Sequence, residues 1–185
     1  DEDSLRFLSP LVPFFKIASA DITNKPFLRE VAKQNKPIVL STGASTLGEI
    51  ELSLEIINSI NNVDVALLHC ILNYPTPNKY ANLGMISCLA KIYPNNIIGY
   101  SDHTLPDKNM NSLISAYLLG AVIIEKHFTN DKDLPGNDHY HSMDIVDLKN
   151  LKNIIKDIDE LIGSEEIKKP IKSEAISRQN ARRSI

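Results

Sequence analysis

The chain has 185 residues, 43% of them hydrophobic and 23% charged, which is enough apolar material for one core and too much for a disordered or fibrous chain. A net charge of -3 and a pI near 6.0 supply no field that would gather nucleic acid or anionic lipid, although Arg178, Arg182 and Arg183 make the tail locally basic. Cys70 and Cys88 form no close-spaced pair, and no apolar run nears the ~20 residues of a membrane span or follows a basic signal-like start, so a reducing, cytoplasmic setting with small-molecule or like-subunit partners is expected.

An amphipathic helix over Asp1–Phe7 opens the chain in place of a methionine, from which removal of an upstream segment is expected. Phe15–Ser19 is the first short apolar run and reads as a strand; Pro37–Ser41 is the second. Thr46–Asn58 then carries Leu47, Ile50, Leu54 and Ile57 at helical spacing, with Glu49 three residues after Thr46 as a capping box. Val65–Cys70, Ile97–Ser101 and Val122–His127 complete five strand-like runs. Helices are predicted over Lys108–Leu119 and Asp147–Ile162, the latter with Leu148, Leu151, Ile154, Ile155, Ile158 and Leu161 on one face and Gly163 as its stop. The runs are nearly continuous in apolar character, as strands of a parallel sheet covered on both faces are. Their starts lie roughly 22 to 32 residues apart, near the repeat of a ~250-residue (β/α)8 barrel.

A doubly wound open sheet gives a similar alternation. The polar residues favour the barrel, because every run ends in a group that can do chemistry: Lys16 and Ser19, Ser41, His69, Ser101 to His103, and Glu125 to His127. Barrel enzymes gather such groups at the C-terminal strand ends, whereas an open sheet needs them only near its switch point. His103 and His127, at adjacent strand ends, can reach one divalent ion; either alone reads more simply as a hydrogen-bonded core histidine. Lys16, Ser19, Ser41 and Ser101 suit an anion bearing phosphate and carboxylate groups, although a single strand-end serine is usually a turn former. No Walker-type or Gly-x-Gly-x-x-Gly loop is present. In the loop Leu134–His139, Asp138 reads as a group for sugar hydroxyls or a metal-bound water, or as a solvated turn aspartate. Asn73–Pro77, containing Tyr74, reads as a substrate-binding wall or a proline-stiffened loop.

In order and spacing, Phe15-Lys16-Ile17-Ala18-Ser19, Pro37-Ile38-Val39-Leu40-Ser41-Thr42-Gly43, Leu68-His69-Cys70, Tyr74-Pro75-Thr76-Pro77, Gly99-Tyr100-Ser101-Asp102-His103-Thr104 and Glu125-Lys126-His127-Phe128-Thr129 closely resemble the N-acetylneuraminate (sialic acid) synthase family. The resemblance covers essentially the whole chain. It implies an incomplete (β/α)8 TIM-type barrel, about five of eight units, over 1–165, and a linker over 166–185 leading to an antifreeze-like domain. The implied activity is a transferase reaction that condenses phosphoenolpyruvate with an N-acylated amino sugar such as N-acetylmannosamine, releasing phosphate and giving a nonulosonic acid.

By position, the resemblance makes His103 and His127 ligands of a divalent ion, usually Mn2+, with Mg2+ or Co2+ as alternatives. Lys16, Ser19, Ser41 and Ser101 become the phosphoenolpyruvate contacts, and Tyr74, Glu125 and Asp138 the groups facing the sugar. It also implies a homodimer for the full-length protein, no nucleic-acid or membrane partner, and no activity for these residues alone, since a first-strand glutamate and a second lysine of the family lie outside them. Asn137 stands where proline is common, so Asn137–His141 is expected to mark a subgroup. Competing readings are another phosphoenolpyruvate-using sugar-acid synthase, a metal-dependent aldolase on the same barrel, and a non-catalytic scaffold.

Overall fold

The computed structural model describes residues 1–163 and 167–183. After a first helix α1 (Glu2–Leu8), capped by the Asp1 side chain on the Ser4 amide at 2.8 Å, five strand–helix units follow. They are β1 (Phe15–Ile17) with α2 (Lys25–Ala32), β2 (Ile38–Ser41) with α3 (Leu47–Asn58), β3 (Val65–Cys70) with α4 (Gly84–Ile92), β4 (Ile98–Asp102) with α5 (Asn111–Leu118), and β5 (Ile123–Lys126) with α6 (Ile145–Ile162). A short exposed helix α7 (Ala175–Ala181) lies in the tail. The expected boundary between 1–165 and the linker 166–185 lies outside the described residues.

All five strands run parallel and pair in chain order, β1-β2-β3-β4-β5. The sheet curls into a half-barrel. Lys16 of β1 and Glu125 of β5, on the two edge strands, meet across its hollow with Nζ and Oε2 3.4 Å apart. A parallel sheet of this kind needs helices on its outer side, and the registered row Ile17, Leu40, Leu67 and Ile98 supplies the buried contact for them. The alternating residues face the hollow, where Lys16, Val39, Ala66, Ile123 and Glu125 border a cavity of about 820 Å³.

Local signals set the helix ends. Thr46 and Glu49 form the expected reciprocal capping box on α3, and Asp144 and Asp147 form a second on α6. Gly163 ends α6 at φ 64°. The helix predicted from Lys108 begins instead at Asn111, because the Asp107 carboxylate takes the amides of Asn109 and Asn111 and Met110 turns left-handed at φ 51°. The β-α alternation calls for helices after β1 and β3 without setting their bounds, and α2 and α4 stand there, both short, the second starting on a glycine with no side-chain cap.

Candidate functional site at the C-terminal strand ends

Strand parity decides which strand-end groups share the hollow. Cys70, Ser101 and Glu125 form one registered row, and Ser41 lies in the row beneath with Leu68, Gly99 and Ile123. Ser101 donates its hydroxyl to Glu125 Oε1 at 2.7 Å, while Lys16 donates to the Ile17 carbonyl at 2.9 Å and pairs with the same glutamate. Ser19 packs alongside. A Cβ on Gly43 would stand 2.9 Å from Ser19 Oγ and 3.0 Å from Cys70 Sγ, so only glycine lets the loop after β2 approach this closely. Burial pushes the Cys70 thiol up, against the pull of Ser101, Lys16 and Ser19. Among the described residues the buried Ser41 hydroxyl has no hydrogen-bond partner, a condition that costs free energy unless something supplies the missing bond. Lys16, Ser41 and Ser101 therefore make a mouth of one ammonium and two hydroxyls suited to an anion, with Glu125 balancing the lysine.

His69 does not belong to this group, contrary to the strand-end expectation. It shares parity with Tyr100, stacks on that ring at 5.7 Å and donates Nε2 to the Ala81 carbonyl at 2.9 Å. It is a satisfied core histidine, and burial holds its pKa below the ordinary value.

The other imidazoles gather beside the mouth. His103 and His127 have ring centroids 5.4 Å apart, and His141, which the sequence reading did not single out, stands 4.9 Å from His127. Tyr74 lies over them, 4.0 Å from His103, 5.8 Å from His127 and 6.0 Å from His141. Burial raises the Tyr74 phenol, helped by Cys70, Asp138 and Glu125, so it stays protonated at neutral pH. His103 Nδ1 is 2.7 Å from the Ile71 carbonyl, which can only accept, so the neutral ring carries its proton there and leaves the Nε2 lone pair open. This is how a ligating histidine is usually oriented. Burial lowers the His103 pKa, with His127 adding to the effect and the Ile71 carbonyl opposing it.

Asp138 Oδ1 lies 3.7 Å from His127 Nδ1 and 3.9 Å from His141 Nε2, and these three residues, without His103, each offer a donor atom within 4.8 Å of the others. The loop carrying Asp138 and His141 is pinned at both ends. Phe128 and Met143 form a parallel bridge, Met143 N donates to the His127 carbonyl at 2.9 Å, Thr129 N donates to the Met143 carbonyl at 2.8 Å, and Thr129 Oγ1 bonds His139 Nδ1 at 2.7 Å.

Behind the histidines, on the helix side, Lys126 and Asp102 make an ion pair at 2.9 Å whose side chains are 2% and 1% exposed. Each immediately precedes one of the strand-end histidines. Tyr100 donates to Asp102 Oδ1 at 2.7 Å, Thr104 adds its amide and hydroxyl at 2.9 and 3.0 Å, and Lys126 also donates to the Thr104 carbonyl. Burial outweighs the attraction of Asp102 and draws the Lys126 ammonium below its ordinary value. The sequence held the signal for this pair in strand parity, since Asp102 and Lys126 alternate with Ser101 and Glu125.

Together these features define a class: a parallel half-barrel of strand–helix units whose C-terminal strand ends hold an ammonium and hydroxyl groups beside a histidine cluster. Residues 1–167 match the NeuB family, and the chain belongs to that family. It is 40% identical over 188 residues to N,N'-diacetyllegionaminic acid synthase of Campylobacter jejuni, covering 100% of this chain and 55% of that protein. It is 44% identical over 158 residues to N-acetylneuraminate-9-phosphate synthase of Drosophila melanogaster, covering 84% and 41%. The crystal structure of N-acetylneuraminic acid synthetase from Leptospira borgpetersenii superposes with a TM-score of 0.85 at 33% identity, over 97% of this chain and 61% of that one. The chain spans about half the length of the curated relatives it matches. Among the described residues, no helix is long and apolar enough to cross a membrane.

Proposed function

We propose that this NeuB-family protein condenses phosphoenolpyruvate with the open-chain form of an N-acylated amino sugar, giving a nonulosonic acid and inorganic phosphate. The observation that carries the reading is the meeting, in one mouth, of an ammonium-and-hydroxyl set that includes an unpartnered buried hydroxyl with a tyrosine-covered group of histidines.

Lys16, Ser19, Ser41 and Ser101 hold the phosphate and carboxylate of phosphoenolpyruvate, each contact a charge-assisted hydrogen bond. Glu125, which neutralises Lys16 in the structure, turns with Tyr74 and Asp138 toward the sugar. His103 and His127 are the residues that would hold a divalent ion, Mn2+ foremost with Mg2+ or Co2+ as alternatives. The open Nε2 of His103 and the carboxylate beside His127 fit that use. Such an ion supplies Lewis-acid polarisation of the aldehyde.

The enol carbon C3 forms a bond to the aldehyde carbon, and the aldehyde oxygen takes a proton to become a hydroxyl. Water adds to the cationic C2 and gives up a proton, and the C2–oxygen bond to phosphate breaks. Holding both substrates in one mouth converts their encounter into an intramolecular step.

The test is phosphate release from phosphoenolpyruvate by the full-length gene product, with a panel of N-acylated hexosamines, with and without Mn2+. Metal-dependent release with one sugar is expected. Consumption of pyruvate without phosphate release would replace the synthase by an aldolase, and no reaction with any sugar would leave a binding role.

A further inference from the structure

His141 is 0% exposed, and among the described residues neither of its ring nitrogens meets the distance and angle of a hydrogen bond, although the Asn137 backbone lies close enough to act on the ring. An imidazole taken fully out of water normally finds a partner for at least one nitrogen, as His69 and His103 do in this chain. His141 is instead directed at His127 and Asp138. Its Nε2 stands 3.9 Å from Asp138 Oδ1, which in turn is 3.7 Å from His127 Nδ1, both beyond hydrogen-bonding distance. A neutral imidazole with an unbonded ring nitrogen has a lone pair to give there.

Two imidazoles and a carboxylate, each offering a donor atom within 4.8 Å of the others, are a set that can hold a divalent cation. We propose that His141 is a further protein ligand, with the Asp138 carboxylate, of the divalent ion assigned above to His103 and His127. The inference rests on that assignment. It gives the site a third imidazole and makes Asp138 a ligand rather than only a sugar contact.

The experiment titrates the full-length protein with Mn2+ alone, following the free-ion electron paramagnetic resonance signal and counting 14N couplings to the bound ion by pulsed methods. The wild type is expected to bind Mn2+ with His141 among the coupled nitrogens. His141→Ala is expected to weaken binding at least about tenfold and to remove one nitrogen coupling, since even changes behind a ligand shift affinity by about 10- to 100-fold. His141→Phe, which fills the ring's space without a donor, is expected to do the same while keeping the wild-type circular dichroism. Wild-type affinity and an unchanged nitrogen count in His141→Phe would assign His141 to packing and overturn the inference, leaving the His103 and His127 assignment standing. No Mn2+ binding by the wild type, or undiminished binding by His127→Ala, would overturn the metal assignment itself and the inference with it.

Discussion

On the helix-facing side of the five strands, Ile17, Leu40, Leu67 and Ile98 lie in one registered row, each almost wholly buried against other apolar groups. On the hollow side of the same strands, Lys16, Ser41, Ser101 and Glu125 carry charge or hydroxyls, and one hydroxyl has no partner. The outer face is satisfied from within the chain by packing. The inner face keeps bonding capacity in reserve, which is what a ligand needs. Mutations on the two faces should therefore differ in sign as well as in size.

The largest loss is expected where the outer face departs from apolar packing, at the Asp102–Lys126 pair. Lys126→Met strands a buried carboxylate and should cost about 3 to 5 kcal/mol in urea unfolding. The double variant Asp102→Asn with Lys126→Met should recover part of that loss, and simple additivity would show that the pair is not coupled. Next comes Leu67→Ala at the centre of the outer row, expected to cost about 2 to 5 kcal/mol through lost burial and the cavity left behind. A loss well under 1 kcal/mol would mean that the row does not anchor the helices.

A smaller and pH-dependent effect belongs to Asp144, the N-cap of α6. The Asp147 amide, with the Val146 amide and Lys132, holds its carboxyl below the ordinary carboxylate value, so its folded pKa lies under its unfolded one. The stabilisation is full above the ordinary value and fades as the pH falls through the folded one. Asp144→Asn keeps an acceptor oxygen and should flatten that part of the acid-unfolding curve; an unchanged curve would remove Asp144 as a contributor.

The smallest stability change is expected on the inner face. Ser41→Ala discards an unpartnered hydroxyl and should leave stability unchanged or raise it by about 1 kcal/mol, while weakening phosphoenolpyruvate binding measured by calorimetry. A destabilised Ser41→Ala would erase the contrast between the faces.

The strand order and the polarity of the strand ends were legible in the sequence because buried parallel strands leave long apolar runs and the groups that follow them are conspicuous. Face was harder to read. His69 looked equivalent to the other strand-end groups, but one residue of parity turns it into the core and brings Cys70 to the hollow instead. Lys126 and Asp102 were hidden for the same reason. His141 was invisible because no periodicity governs a turn-rich loop, and only the tertiary ties of Thr129 and Met143 bring it to His127. The bounds of α2 were not legible, since eight residues carry little periodic signal and its Pro26 sits in the first turn, where proline is tolerated.

The clasp formed by Thr129, His139 and Met143 has a consequence for how this site can change over time. It fixes Asp138 and His141 from their own end of the loop, while Asp133, Leu134, Pro135 and Gly136 project into solvent ahead of it. Because closure cost grows slowly, by about 0.6 kcal/mol for each doubling of loop length, that outer stretch can lengthen, shorten or change its side chains at little expense. That outer stretch can then vary while Asp138 and His141 beneath it keep their places, so variation at the rim is separated from the positions that the clasp holds.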